Sequence, residues 1–229
     1  TKVGDKGSTN SVGQSIAIGS SQGNGAWAKG TQAIAIGSDT IAEGDSSVVI
    51  GGDDIDRAIS KTKSYVKKSY DKNDTETSTA VNNQSLDDIY KDLTGNTSGL
   101  GGYRGTTAGE ASVALGVKAA AGDLATALGT MSEAKGINSL ALGTGALATQ
   151  ANAVAVGAGS STEGLKAKRI TDANIGLADG TNVNFSNFAG ASNVTEGDMV
   201  SFGTVGRERQ LKNIAPGELS ATSTDAATG

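Results

Sequence analysis

One six-residue phrase recurs along the whole chain. It reads SIAIGS at 15–20, AIAIGS at 33–38, SVVIGG at 47–52, SVALGV at 112–117, ATALGT at 125–130, SLALGT at 139–144 and AVAVGA at 153–158. Aligned on Gly19, Gly37, Gly51, Gly116, Gly129, Gly143 and Gly157, successive copies lie 18, 14, 65, 13, 14 and 14 residues apart. A fixed period near 14 means one small unit stacked on copies of itself. The first half of each unit alternates as a strand does: Leu140 and Leu142 face one way, Ala141 the other. The second half, as in DTIAEG (39–44) and MSEAKG (131–136), ends in a second glycine: Gly30, Gly44, Gly109, Gly122 or Gly136. The last unit departs from this, with Gln150 in that place. Two short strands and two glycine turns per unit make one coil of a narrow parallel β-solenoid, with glycine supplying the positive φ of tight corners.

The alternate strand face carries alanine at 17, 35, 114, 127, 141 and 155. A solvated face would carry Lys, Thr or Glu instead. Alanine there predicts a second surface buried at close approach, which several copies packed around an axis would provide. A lone solenoid whose alanines fill a narrow interior is the alternative.

Composition narrows the chemistry. The 229 residues include 34 Gly, one Pro, 3% aromatics, no Cys and no His. A thick core built on aromatic side chains is therefore excluded, and thin layers of Ala, Val, Ile and Leu are favoured. Without Cys or His there is no cysteine nucleophile, no Ser-His-Asp triad and no zinc site built on those ligands. No catalytic constellation is present, and no cofactor or metal is expected. GDKGST (4–9) lacks phosphate-loop order, and Asp53–Asp54 and Asp87–Asp88 lack a calcium-loop pattern. A net charge of −5 argues against nucleic acid as a partner. No apolar run is long enough to span a membrane as a helix. The chain, opening at Thr1 with no signal peptide, reads as a piece of a longer exported protein.

The unit SVALGVKAAAGDLATALGT resembles the head repeat of trimeric autotransporter adhesins of the Yersinia-adhesin type. The stretch VSFGTVGRERQLKNIAPGELSATSTDA (Val200–Ala226) resembles the neck that follows such heads. Its carrying residues are Gly206, Glu208, Arg209, Gln210 and Leu211, then Ser220 to Ala226. Repeat and neck together cover about 130 of the 229 residues. The resemblance implies an all-β fold: a left-handed parallel β-roll, homotrimeric, with a neck that crosses between chains. It implies display on a Gram-negative cell surface, anchored in the outer membrane through a region outside this chain. It also implies adhesion to host extracellular matrix (fibronectin, laminin or collagen) or to cell-surface receptors, with no enzymatic activity. A structural spacer with the adhesive site elsewhere is the alternative. Hexapeptide acyltransferases, with coils of roughly 18 residues and a His base, are the remote third reading. Glu208, Arg209, Gln210 and Leu211 are the candidate trimer and neck residues, with Glu208 and Arg209 pairing between chains or simply solvated.

The chain divides into head repeats (1–52), an insertion (53–105), further repeats (106–163), a segment expected to form a β-hairpin capping the open end of the roll (164–199), and the neck (200–229). Asp179–Gly180 is the hairpin signal. The insertion holds all four tyrosines. In 57–72, Arg57, Lys61, Lys63, Lys67, Lys68 and Lys72 stand against Asp71. In 73–95, Asp74, Glu76, Asp87, Asp88 and Asp92 stand against Lys91. SLDDIYKDL (85–93) predicts a short, Ser-capped helix, and 71–84 reads as a loop. Specificity on a uniform scaffold belongs in such a segment. Arg57, Lys61, Lys63, Tyr65, Lys67, Lys68, Tyr70 and Lys72 are therefore the candidate ligand-binding residues, for an acidic matrix protein or sulfated glycan. The competing expectations are a decoration that stabilises the trimer or a loop without a role. The opposite charges of the two halves also allow them to pair with each other. Trp27, the sole tryptophan, is either an adhesive aromatic or a local plug.

Overall fold

The computed structural model describes residues 2–3, 14–19, 25–188 and 194–215. Gly4–Thr9, Pro216 and the Ser220–Ala226 run lie outside them. Two parallel sheets face each other. The first stacks β1 (Lys2–Val3), β3 (Ala26–Ala28), β5 (Thr40–Ala42), β9 (Thr106–Ala108), β11 (Ala120–Ala121), β13 (Glu133–Ala134) and β15 (Leu147–Ala148). The second stacks β2 (Ile16–Ile18), β4 (Ile34–Gly37), β6 (Val48–Gly51), β10 (Val113–Leu115), β12 (Thr126–Leu128), β14 (Leu140–Leu142), β16 (Val154–Val156) and β19 (Val200–Ser201). The chain alternates between the sheets, so each period is one coil of a parallel β-solenoid. Like residues stack on like: Thr126, Ala127 and Leu128 pair with Leu140, Ala141 and Leu142, which pair with Val154, Ala155 and Val156.

The repeating glycines are explained by this stacking. Gly37, Gly116, Gly129, Gly143 and Gly157 have φ between +109° and +133°. A Cβ on any of the first four would lie within 3.0 Å of the glycine in the next coil. Both the backbone angle and the close approach require the missing side chain. The other corners use a different solution. Gln32, Ser46, Ala111, Leu124, Asn138 and Asn152 all take a left-handed φ of 48° to 66°. None is β-branched, as that conformation demands. Gln150 departs from glycine because its side chain has work at the roll's end: Nε2 donates to the carbonyls of Thr162 and Leu165, each at 2.9 Å.

The alanine face points the opposite way from the sequence expectation. Ala35, Val49, Ala114, Ala127, Ala141 and Ala155 are wholly or almost wholly buried inside the single roll. They meet Ala28, Ala42, Ala108, Ala134 and Ala148 of the first sheet. Residues two before them on the strand, such as Ser47, Ser112 and Ser139, are small and buried as well. Two sheets only one short corner apart leave no room for larger side chains, so the small residues go in. The Ile, Val and Leu ladder of the second sheet faces out, with Ile18 59%, Ile50 42% and Leu128 42% exposed. The large apolar face, not the alanine face, is the one left for a neighbour.

The roll does not lose register across the insertion. β6 pairs with β10 and β5 with β9, so the chain leaves at one coil and re-enters at the next. Inside the insertion, α1 (Asp56–Ile59) leads into β7 (Thr62–Tyr70), which pairs antiparallel with β8 (Glu76–Ser85), and α2 (Leu86–Thr94) follows. Ser85 caps α2 by accepting the Asp88 N–H at 3.1 Å, and Gly95 ends it at φ +75°. The expected loop over 71–84 is therefore mostly strand. Its Thr-rich sequence lacks apolar alternation, but Thr and Val suit a pleated surface once β7 supplies the ladder.

The segment before the neck also differs from expectation. β17 (Asp172–Gly176) and β18 (Asn182–Ser186) form the hairpin signalled by Asp179–Gly180, closed by Leu177 N–H to Thr181 O at 2.7 Å. It does not cap the roll. Its strands pair only with each other, and the coil resumes beyond it: Val200 and Ser201 align with Val154 and Ala155, and Ser161 N–H donates to Gly203 O at 2.8 Å. One hairpin face gathers Ala173, Ile175, Val183 and Phe185, and the last three of these are exposed.

Candidate functional site

The insertion, like the β17–β18 hairpin, is a part of the described chain that the repeat does not dictate. It is held to the roll by individually placed residues. Tyr90 of α2 is buried against Gly145, where an added Cβ would collide with the phenol. Thr94, one turn on, sits over Gly159 in the same way. The corresponding corners of the two preceding coils carry Lys118 and Met131, all four at left-handed φ. Glycine thus appears at this corner where the helix crosses it. Lys118 is fully buried, its Nζ donating to Leu100 O at 3.2 Å. Arg104 pairs with Glu133 and donates to the Lys118 carbonyl. Tyr103 Oη donates to Asp39 at 2.6 Å, and Asp87 accepts the Leu100 N–H at 2.6 Å. Burial pushes the Glu133 carboxyl up, but Lys135 and Arg104 outweigh it and hold it below the usual range. Arg207, in the segment expected to form a neck, packs under Gly95, so α2 reaches from the roll to that segment.

The candidate ligand residues divide into two sets. Lys67 bonds both carboxylate oxygens of Asp92 at 2.8 and 2.7 Å, and Tyr65 Oη reaches the same carboxylate at 3.3 Å. Lys68 pairs with Glu76 at 2.8 Å, which also accepts from Tyr70 Oη at 2.8 Å. These lysines hold Asp92 and Glu76 below the ordinary carboxylate range. The basic and acidic halves therefore pair within the insertion at these points. Arg57, Lys61, Lys63 and Lys72 have no ion pair among the described residues. They lie on α1, at both sides of the start of β7, and in the hairpin turn.

Of the candidate neck residues, Arg209 bonds within its own chain. It donates to Ser160 Oγ and Phe202 O, both at 2.8 Å, and to Ala158 O at 2.6 Å. This closes the last glycine corner, which a stacked coil would otherwise cover. Backbone N–H groups of Glu208 and Gly206 hold the Glu208 carboxyl low. Gln210 and Leu211 are exposed. A cleft of about 340 Å³ opens beside Arg209, lined by Leu165, Val200, Phe202 and Val205. Trp27 is no interior plug: it lies on the outward face of the first sheet, over Ile41, with Lys29 Nζ 4.4 Å from its ring centre. Among the described residues no group of three or more carboxylates is arranged to hold a metal ion, and no helix is long and apolar enough to cross a membrane.

The sequence did not signal the docking of α2 as such, although Gly145 and Gly159 were visible departures at one corner of the repeat. It also did not signal the Arg104, Lys118 and Tyr103 anchors, which are single residues outside any period.

Comparison with known proteins places the repeat. The YadA head domain repeat matches residues 23–53, 120–146 and 134–160. Among solved structures, the collagen-binding domain of the Yersinia adhesin YadA aligns with 20% identity over 94% of each chain and a TM-score of 0.43. No curated protein matches the chain.

Proposed function

We propose that this chain, which carries YadA head repeats, is the head of a trimeric autotransporter adhesin and binds host extracellular-matrix protein as a homotrimer displayed on a bacterial surface. The observation that carries the proposal is the outward apolar ladder of the second sheet. Ile16, Ile18, Ile50, Leu128, Leu142 and Val200 are all more than a third exposed, in two adjacent columns of the sheet whose intervening members, such as Ile36 and Leu115, are half-buried. A contiguous apolar strip of that kind marks an interaction surface. Three copies joined along it bury the strip and present three insertions around one axis. The exposed apolar face of the β17–β18 hairpin is covered by the same assembly. Weak contacts made three at a time, on many heads, give firm attachment. The head performs no chemistry: its role is binding.

The pairing of Lys67 and Lys68 inside the insertion favours a second reading, in which the head is a spacer and adhesion lies elsewhere in the full-length protein. One experiment separates them. The head and a variant with residues 54–105 replaced by a short Gly-Ser turn are tested on immobilised fibronectin, laminin and collagen. Both are first checked for a trimer, near 68 kDa for the head, three times the 22.6 kDa chain, and correspondingly lighter for the shortened variant. Binding by the head and not by a trimeric variant is the expected result. Equal binding moves adhesion to the roll surface, and no binding by either leaves the spacer reading. A monomeric head sinks the assembly.

A further inference from the structure

We propose that the segment 165–170 is a cleavage joint, cut after Arg169 by a protease of trypsin specificity, and that the cut head stays docked to the rest of the chain through the last coil. The inference goes beyond the adhesin reading and rests on it only for which side of the cut faces the cell.

A trypsin-type cut needs a basic residue at the scissile bond and a run of backbone that can lie extended in the protease cleft. Exposed segments without packing supply that run and need no unfolding first. Many cations of the described chain fail the second condition. Arg57 and Lys91 lie in helices, and Lys63, Lys67 and Lys68 lie in β7. Lys118 is buried. Lys29 and Lys135 have backbone N–H groups bonded to the next coil, and Lys61 is bonded at both its N–H and its carbonyl. Lys72 occupies a tight turn with Asp71 and Asp74 on either side.

The stretch Leu165–Ile170 meets both conditions. It holds Lys166, Lys168 and Arg169 and no acidic residue, with Glu163 and Asp172 outside it. It belongs to no helix or strand, and every residue but Ala167 is exposed. Gly164 turns the chain out of the coil at φ +73°, with open space where a side chain would stand. Between 166 and 170 the backbone is tied at Ala167, whose N–H donates to Glu196 O at 2.9 Å. A protease of this class holds the arginine in an acidic specificity pocket. Its serine hydroxyl adds to the Arg169 carbonyl. The bond to Ile170 N breaks, and that nitrogen takes a proton and leaves as an amine. Water then frees the acyl group. One water is consumed, leaving a carboxylate on Arg169 and an ammonium on Ile170.

The topology gives this bond its consequence. The chain runs from Thr162 of the stacked coils to β19 only through 163–199, so one cut breaks the covalent path. The contacts across the cut remain. β19 pairs with β16, Asn152 Nδ2 donates to Asp198 Oδ1 at 2.6 Å, and Ser161 N–H donates to Gly203 O at 2.8 Å. Arg209 donates to Ala158 O at 2.6 Å and Ser160 Oγ at 2.8 Å. Cutting therefore exchanges chain continuity for a docked last coil. In the adhesin reading the neck end faces the cell, so the coils and the insertion lie on the side that is let go.

The test is limited digestion of the intact native head with trypsin. Products are identified by mass and N-terminal sequencing, and the digest is run in parallel on native size exclusion. The first internal cut is expected to give a fragment beginning at Ile170, with the two pieces still eluting together. The triple variant Lys166→Gln, Lys168→Gln, Arg169→Gln keeps side-chain size and polarity and is expected to lack that fragment. Arg209→Ala removes bonds that cross the cut, so the nicked variant should separate at least about fivefold faster than nicked wild type. A first cut at Arg57, Lys61 or Lys72 overturns the proposal, as does cutting at Ile170 that begins only when the roll unfolds in urea. Immediate separation of nicked wild type overturns the docking. Nicking at Ile170 in a head that binds no matrix protein keeps this inference and loses the adhesin reading. Matrix binding by a head first cut elsewhere does the reverse.

Discussion

The roll and the insertion are held together by opposite means. In the roll, each contact is a copy of the one above it. Alanine stacks on alanine, glycine on glycine, and one residue out of class damages two neighbouring coils. In the insertion no contact is repeated. Tyr90 on Gly145, Thr94 on Gly159, Lys118 on Leu100 and Arg104 on Glu133 are each made once. Repetition gives the scaffold length and cooperativity. Single anchors let a segment of different composition ride on that scaffold without disturbing it, as the unbroken pairing of β6 with β10 shows. The two regions should therefore fail separately, and variants can test that.

The largest effect is expected inside the roll. Ala141→Leu forces a branched side chain between the two sheets at a site with no exposure. Overpacking of a tight core costs about 1–3 kcal/mol or more, and here strain passes to both adjacent coils. The variant is expected to lower the thermal midpoint of the whole head. A melting curve unchanged from wild type would mean the interior is looser than its alanine ladder implies. The adjacent residue gives the contrast. Leu142→Glu alters the outward face, leaves the coil interior intact and places like charges at the proposed contact between three copies. It is expected to shift the solution mass from near 68 kDa to 22.6 kDa with the β-rich circular dichroism retained. A trimer that survives Leu142→Glu would remove the outward ladder as the assembly surface.

These two residues also show where sequence reading succeeds and where it stops. The period, the Ser85-capped helix and the turn at Asp179–Gly180 are local signals, and each was legible because a few adjacent residues determine it. The choice of inward face was not, because the habit of putting large apolar residues inside assumes a core thick enough for them. In a coil this narrow, steric exclusion outweighs hydrophobicity, and Leu142 goes out while Ala141 goes in. A usable clue existed: positions 47, 112 and 139, on the same side as the alanines, are all serine. β8 was missed for a related reason. Its strand state comes from pairing with β7 rather than from any alternation of its own. Of the candidate site, the charge segregation was legible, but which lysines are spent on Asp92 and Glu76 depends on a three-dimensional register that composition does not hold.

A smaller effect, confined to the insertion, is expected from Gly145→Asn. Asparagine tolerates the left-handed corner at φ +64°, so the backbone is not strained. Its side chain, however, occupies the space of the Tyr90 phenol. Losing the burial of such a side chain costs about 1.5–3 kcal/mol of docking. Limited proteolysis within 53–105 should accelerate, while the roll's melting midpoint stays close to wild type. Loss of the roll together with the insertion would show that the two are one cooperative unit and would break the contrast drawn above.

The smallest effect is a pH dependence, and it sharpens the same contrast. The carboxyls that dock or brace the insertion (Glu133, Asp87, Asp92 and Glu76) are all held below their ordinary values by cationic or amide donors. A depressed folded-state value contributes stability above the unfolded value, near 4 for these groups. That contribution is lost as the pH falls through the folded value. The insertion should thus be indifferent to pH between about 5 and 7 and loosen below about 4. Most of these pairs are partly exposed, so each contributes little at moderate ionic strength. The inward ladder of the roll carries no carboxylate and should not respond. The chain supplies its own probes: all four tyrosines lie in the insertion and the single tryptophan in the roll. Near-ultraviolet circular dichroism on acidification should lose the tyrosine bands first and keep the tryptophan band. Simultaneous loss of both would mean that the roll depends on the insertion, and that the single anchors stabilise the scaffold as well as ride on it.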